Sequence, residues 1–309
     1  MKIIFSVFIF LLMPIISLAQ ISKERRIYYL DCSYSMVQNK LWDKVCDNLK
    51  SAIDNINDET TEIIVIPFAD NNLPNPVLKP MVANATASGK DALKAKISAL
   101  PQPGKNTMTY HYIPVQDFWY KRVSPDRVTY MFLMTDGEDD DKAKRTQKVL
   151  LPQWGAKYGN KNVYGFYVML HKQAANPEVD RVCQNQDHLW KVETADVNIN
   201  LVRLQSSAIF NAKNDKYFDL PIACGNVSGK AFSASFPSNC PYKVKKTEKL
   251  SNTIRVWVDP VPGQKLPKSS NNNLIIKMTG GGKFDFLVTE KIPVKCEFKP
   301  ERSLKISVR

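Results

Sequence analysis

Strand-like runs alternating with helix-period segments predict an α/β fold. The expected core is a doubly wound, mostly parallel sheet, and a smaller all-β, sandwich-like part follows it. Three observations carry this. Residues 62–68, 128–134 and 163–170 are apolar on both faces, as strands covered on both sides must be. Leu41, Val45, Leu49, Ile53 and Ile56 recur at three- and four-residue steps, the spacing of one helix face. Past Asp215 the pattern changes to short alternating runs punctuated by Pro, Asn, Ser and Gly.

Taken in order, residues 1–19 read as a secretory signal. Lys2 supplies a charge, an apolar run broken by Pro14 follows, and Ser17 and Ala19 are the small residues before a cleavage point. The protein is therefore expected to be secreted, periplasmic or on the cell surface. No later stretch is long and apolar enough to span a bilayer. Residues 20–212 form the expected α/β domain. Its strands are 26–30, 62–68, an antiparallel edge strand at 77–82, then 128–134, 163–170 and 188–192. A loop is expected at 71–76. Helices are expected at 36–56, from 89, and at 109–122, 142–158, 177–184 and 198–210. Residues 213–309 form the expected β domain, with strands at 231–236, 253–258, 273–278, 284–288 and 304–308.

The chain of 309 residues carries 43 Lys and Arg against 30 Asp and Glu, a net charge of +13. From Lys213 onward there are 18 Lys and Arg against 8 Asp and Glu, so the excess belongs to the C-terminal part. Such a surface suits an anionic glycan or other anionic surface, or simply keeps the protein soluble. Nothing in it points to nucleic acid. Six cysteines, three in each half, leave an odd count per domain. Export permits disulfides, and Cys224 with Cys240 or Cys296 is a plausible pairing. No Cys/His cluster has zinc spacing.

Two strand ends carry the chemistry. The first strand runs into Asp31-Cys32-Ser33-Tyr34-Ser35, and 128–134 runs into Thr135-Asp136-Gly137. Between them lies the polar loop Gly104-Lys105-Asn106-Thr107-Met108-Thr109. Carboxylates and hydroxyls are hard oxygen donors, suited to Mg²⁺, with Mn²⁺ or Ca²⁺ as alternatives, rather than to zinc. In open α/β sheets ligands bind beyond the carboxyl ends of the strands, where both acidic turns lie. The expected helix from residue 36 would add a positive N-terminal end to the site.

This arrangement resembles the von Willebrand factor type A domain with its metal-ion-dependent adhesion site. The family reads Asp-x-Ser-x-Ser, then a loop Thr, then Asp-Gly after a central strand. The matching residues are Asp31, Ser33 and Ser35, then Thr107, then Asp136. Thr109 is a rival for Thr107, because the loop has Gly-Lys-Asn where the family often has two glycines. Gly137, Glu138 and Asp139 are secondary candidates. The run Glu138, Asp139, Asp140 and Asp141 either holds a second cation or solvates a loop.

The resemblance implies a non-enzymatic, metal-dependent protein-binding module for adhesion or assembly. A partner's Asp or Glu would complete the ion's coordination. The rivals are a Mg²⁺-dependent phosphate-processing hydrolase and a metal-free scaffold. Against the hydrolase, Ser33 stands where an aspartyl-phosphate turn has a second carboxylate. A general base is also hard to name, and His111 reads as a helix-surface or packing residue.

Overall fold

Strand β1 (Lys23–Asp31) is the spine of the α/β part. A computed structural model describes the protein at residues 23–69, 79–159, 161–170, 176–193, 199–205, 207–212 and 214–297. The expected signal, the 71–76 loop and the 304–308 strand lie outside the described residues.

β1 pairs in parallel with β2 (Glu62–Phe68) on one side and β4 (Arg127–Thr135) on the other. The sheet continues through β5 (Val163–Met169) to β6 (Leu189–Glu193), both parallel, and ends beyond β2 at β3 (Met81–Asn84), which is antiparallel. Its order is β3-β2-β1-β4-β5-β6. The chain order reverses between β1 and β4, so the crevice of a doubly wound sheet lies between their carboxyl ends.

Two apolar layers cover the sheet. Tyr28 and Leu30 pack with Val45, Leu49 and Ile53 of α2 (Trp42–Asp54) and Leu93 of α3 (Ala87–Ser98). Ile27 and Tyr29 pack with Val115 of α4 (Tyr112–Asp117), Trp154 of α5 (Trp154–Tyr158) and Val182 of α6 (Pro177–Gln184). This strict alternation along β1 is the period of a strand buried on both faces.

Four expected helices differ from their observed forms. The 36–56 helix is two helices, α1 (Tyr34–Gln38) and α2. Lys40 sits at φ 56°, and the Leu41 and Lys40 amides donate back to the Met36 and Val37 carbonyls, a left-handed stop between the two. The 109–122 helix starts only at Tyr112, because Thr109 pairs through its backbone with Asp140 instead. It ends in a π-helical turn, Phe118–Arg122. The 142–158 helix is a π turn (Thr146–Leu150), a 3₁₀ turn (Leu151–Gln153) and α5. Pro152 lacks an N–H and would crowd the Lys148 carbonyl in a regular helix.

The expected closing helix at 198–210 is two strands, β7 (Asn200–Leu204) and β8 (Ala208–Asn211). Leu201 faces the α/β core, while Val202 and Leu204 face the C-terminal core. Two apolar environments on opposite sides favour a period of two, which overrides the helical spacing of Leu201, Leu204 and Ala208.

β8 joins β10 (Ala231–Ser235), β13 (Ser269–Thr279) and β15 (Lys291–Glu297) in the order β10-β13-β15-β8. β7 joins β9 (Tyr217–Cys224), β11 (Tyr242–Lys249), β12 (Thr253–Pro260) and β14 (Asp285–Leu287) in the order β11-β12-β9-β7-β14. Most pairs are antiparallel, but β8–β15 and β7–β14 are parallel. β9, β11 and β15 were not expected; Pro221, Pro293 and the lysines of β11 mask their alternation. The two sheets enclose Phe210, Phe218, Leu220, Val256, Leu274 and Ile292.

All six cysteines are free thiols. Cys240 and Cys296 lie in the C-terminal core, whereas Cys224 sits against the Leu201 carbonyl, so the expected pairing of Cys224 with either is not formed. Among the described residues no helix is long and apolar enough to cross a membrane.

Candidate metal centre

The site is built by strand register. β1 and β4 pair Leu30 with Met134, which brings Asp31 beside Thr135 at the crevice. Asp31 is fully buried. Its Oδ1 accepts the Ser33 amide at 2.9 Å and its Oδ2 accepts the Thr135 hydroxyl at 2.7 Å. The Cys32 amide donates to Phe68 at the end of β2, and the Cys32 side chain packs into the core. The turn therefore points Ser33 and Ser35 away from the core and turns Cys32 into it.

Ser33 is the N-cap of α1, yet its side chain makes no capping bond. Its hydroxyl instead lies 2.9 Å from that of Ser35. Ser35 also hydrogen-bonds Asp136. Asp136 is fully buried and accepts Asn39 Nδ2 at 3.1 Å and the Glu138 amide at 3.2 Å. Burial first, and the facing Asp31 second, push the Asp136 carboxyl above its ordinary value. The hydrogen bonds from Ser35, Glu138 and Asn39 pull it down and do not cancel that rise. Among the described residues neither Asp31 nor Asp136 is paired with a Lys or Arg. The basic group nearest Asp31 is His111, whose Nε2 lies 3.8 Å from Oδ2. Two buried carboxylates without a Lys or Arg partner, beside two serine hydroxyls, are a donor set that fits a hard divalent cation. Among the described residues no group of three His, Cys, Asp or Glu side chains is arranged to hold a metal ion, so any ion here would lean on the hydroxyls.

Thr107 reaches the same turn through its backbone: its carbonyl accepts the Tyr34 amide at 3.0 Å. Its hydroxyl is turned to Gly104 O, at 2.8 Å. Thr109 is buried, and among the described residues its hydroxyl has no hydrogen-bond partner. Both loop threonines thus lie in the segment docked on the site, with Thr107 tied to the Ser33–Ser35 turn and Thr109 tied to Asp140.

The acidic run is spent locally. Asp139 accepts the His111 and Asp141 amides, Asp140 accepts Thr109 N, and Asp141 takes the Arg145 guanidinium and backbone amide. Glu138 is exposed. Gly137 has φ 97° and donates its amide to Thr135, a turn that a side chain would strain. The helical N-terminus expected behind Ser35 is that of five-residue α1 alone, so its dipole contribution is small.

Sequence reasoning missed four residues behind the site. His111 is neither on a helix surface nor simply packed. It is fully buried, with Nε2 3.0 Å from Thr135 Oγ1 and Nδ1 2.6 Å from the Tyr167 hydroxyl. Burial pulls the imidazole down, but Asp31, Asp139 and Asp136 outweigh it, and the net direction is upward. Thr135, Tyr167 and Asn39 complete the set. Only Thr135 had a signal in the sequence: it occupies the end of β4 immediately before Asp136.

Several solved structures are similar to this chain. One is a von Willebrand factor type A protein from Catenulispora acidiphila, at 14% identity and TM-score 0.44, over 89% of this chain and 67% of that one. Another is proximal thread matrix protein 1 of the mussel byssus, at 13% identity and TM-score 0.41, over 62% of this chain and 54% of that one. The same mussel protein with a zinc-occupied MIDAS motif matches at 14% identity and TM-score 0.40, over 62% and 53%. This chain spans about half the length of the mussel protein. No family model matches the chain, and no curated protein matches it.

Proposed function

We propose that this protein is a divalent-metal-dependent protein-binding module for adhesion or assembly, exported by the segment at 1–19. The observation that carries this is the pair of buried carboxylates, Asp31 and Asp136, which face each other at the crevice and, among the described residues, pair with no Lys or Arg. Asp31, Ser33, Ser35 and Asp136, with Thr107 or Thr109 from the docked loop, would hold Mg²⁺, or Mn²⁺ or Ca²⁺ in its place. The ion would supply an exchangeable electrophilic position that a partner's Asp or Glu carboxylate fills. The side chains' part is to hold the donors and neutralise only some of the charge. The basic strands from residue 213 onward would contribute a second contact, to an anionic surface or glycan.

His111 speaks against hydrolysis. It is fully buried behind the crevice, with its ring nitrogens in reach of Thr135 and Tyr167 rather than open to solvent, which supports a binding role over a general-base role.

Titration calorimetry of Mg²⁺ and Mn²⁺ into the metal-stripped protein tests the reading. One saturable site is expected, lost in Ser33→Ala and in Asp136→Ala. Unchanged binding in both variants, at equal circular-dichroism signal, would overturn it.

A further inference from the structure

The Thr135 hydroxyl makes three contacts, and they dictate which way each of the three hydrogen bonds runs. It is 2.7 Å from Asp31 Oδ2, 3.0 Å from His111 Nε2 and 3.1 Å from the Gly137 amide. A carboxylate only accepts, so the single Thr135 proton is given to Asp31. The amide of Gly137 only donates, and takes one of the two lone pairs on Oγ1. The other lone pair must then accept from His111, so Nε2 carries a hydrogen. In the neutral ring that leaves Nδ1 as an acceptor, and Tyr167, 2.6 Å away, donates to it. Chain and fold are thus wired as Tyr167 to His111 to Thr135 to Asp31, inside the molecule and behind the crevice. His111 N also donates to Asp139 and Phe68 packs edge-on to the ring, so the imidazole itself is held.

We infer that His111 is a positioning residue for the metal centre: acting through Thr135, it fixes the rotamer of Asp31 and the direction of its remaining lone pairs. The inference rests on the metal reading above. Asp31 accepts one backbone amide on Oδ1 and one hydroxyl on Oδ2, which leaves each oxygen one lone pair for a cation or its water. Without the Nε2–H donor, the Thr135 hydroxyl keeps only Asp31 and Gly137 as partners, and the direction of the Oδ2 contact is less tightly fixed. Partners of ligating groups typically matter by about 10- to 100-fold in metal affinity.

A buried histidine that only fills space makes a different prediction, and two replacements separate the two. Gln at 111 offers an amide N–H where Nε2 stood, whereas Leu fills volume and donates nothing. Mn²⁺ affinity of the full chain is measured calorimetrically for the wild type, His111→Gln, His111→Leu and Tyr167→Phe, alongside thermal melting in chelator. The expected result is a loss of about 10- to 100-fold in His111→Leu, a loss of less than about 5-fold in His111→Gln, and an intermediate loss in Tyr167→Phe. The ¹⁵N spectrum of the imidazole in the wild type should report the Nε2–H form. Equal affinity in the wild type and His111→Leu would overturn the inference while leaving the metal centre standing. A Leu variant that binds as tightly as Gln, or an Nδ1–H tautomer, would do the same. A wild type that binds no Mn²⁺ would overturn the metal reading and the inference with it.

Discussion

At the scale of single residues, the electrostatic state of Asp136 decides how the metal-free protein behaves. Its carboxyl is pushed above the ordinary value, by burial and then by Asp31. A carboxyl raised in the fold is harder to ionise there than in the unfolded chain. At neutral pH its charge therefore subtracts stability, and the loss is recovered as pH falls through the folded value. Asp136→Asn should raise the melting temperature in chelator at pH 7, by roughly 2–4 °C per kcal/mol relieved. On the proposed metal reading Mg²⁺ should raise the melting temperature of the wild type, and the same change should abolish that rise, since ligand-induced stabilisation needs a site. Opposite signs from one substitution are the signature, read by scanning fluorimetry with and without the ion. Asp31, Ser33, Ser35 and Asp136 were legible in the sequence because each sits at or just past a strand end. His111, Asn39 and Tyr167 were not, because only register and loop docking bring them there. Tyr167 pairs with Leu133 across β4 and β5, and nothing local to either residue announces the meeting.

Elements were legible where one environment dictated the period. β2, β4 and β5 lie buried on both faces and read as continuous apolar runs. Strand β7 was misread as a helix because its two faces answer to two cores. The break between α1 and α2 was also missed, because the stop depends on a left-handed residue and the sequence places Lys there rather than Gly. Lys40 at φ 56° carries a conformational cost that glycine would not. Lys40→Gly should therefore stabilise the protein by about 0.5–1 kcal/mol in urea unfolding, with no change in slope. An unchanged midpoint would mean that Lys40 is not held left-handed in solution.

Across the whole molecule, Glu24 is the polar tie between the α/β sheet and β7. It accepts Arg26 from its own strand at 3.1 Å and Arg203 of β7 at 3.1 Å, and it is buried. Burial raises its carboxyl, but Arg26 and then Arg203 lower it further, and the net direction is down from about 4.5. A lowered carboxyl contributes stability above its unfolded value and loses it as pH falls through the folded one. The gap in unfolding free energy from urea titration between wild type and Glu24→Gln should be widest near pH 7, on the order of 3–5 kcal/mol for breaking a buried pair. It should close progressively below about pH 4.5. A gap that does not change with pH would mean that Glu24 acts by packing alone.

The first core is also finished late. Phe166 and Trp190 of the α/β sheet meet Phe286, with ring centroids 5.3 and 5.8 Å apart, and Phe284 and Val288 pack on the same cluster. A growing chain therefore leaves the ribosome with its α/β sheet unsealed on one flank. The residues that close it arrive almost 100 positions after β6, at Phe284 to Val288. Until then Trp190 lacks its Phe286 contact. Closure of the α/β core then comes near the end of synthesis, and a chain cut short before β14 should expose apolar surface and aggregate rather than fold as a smaller domain.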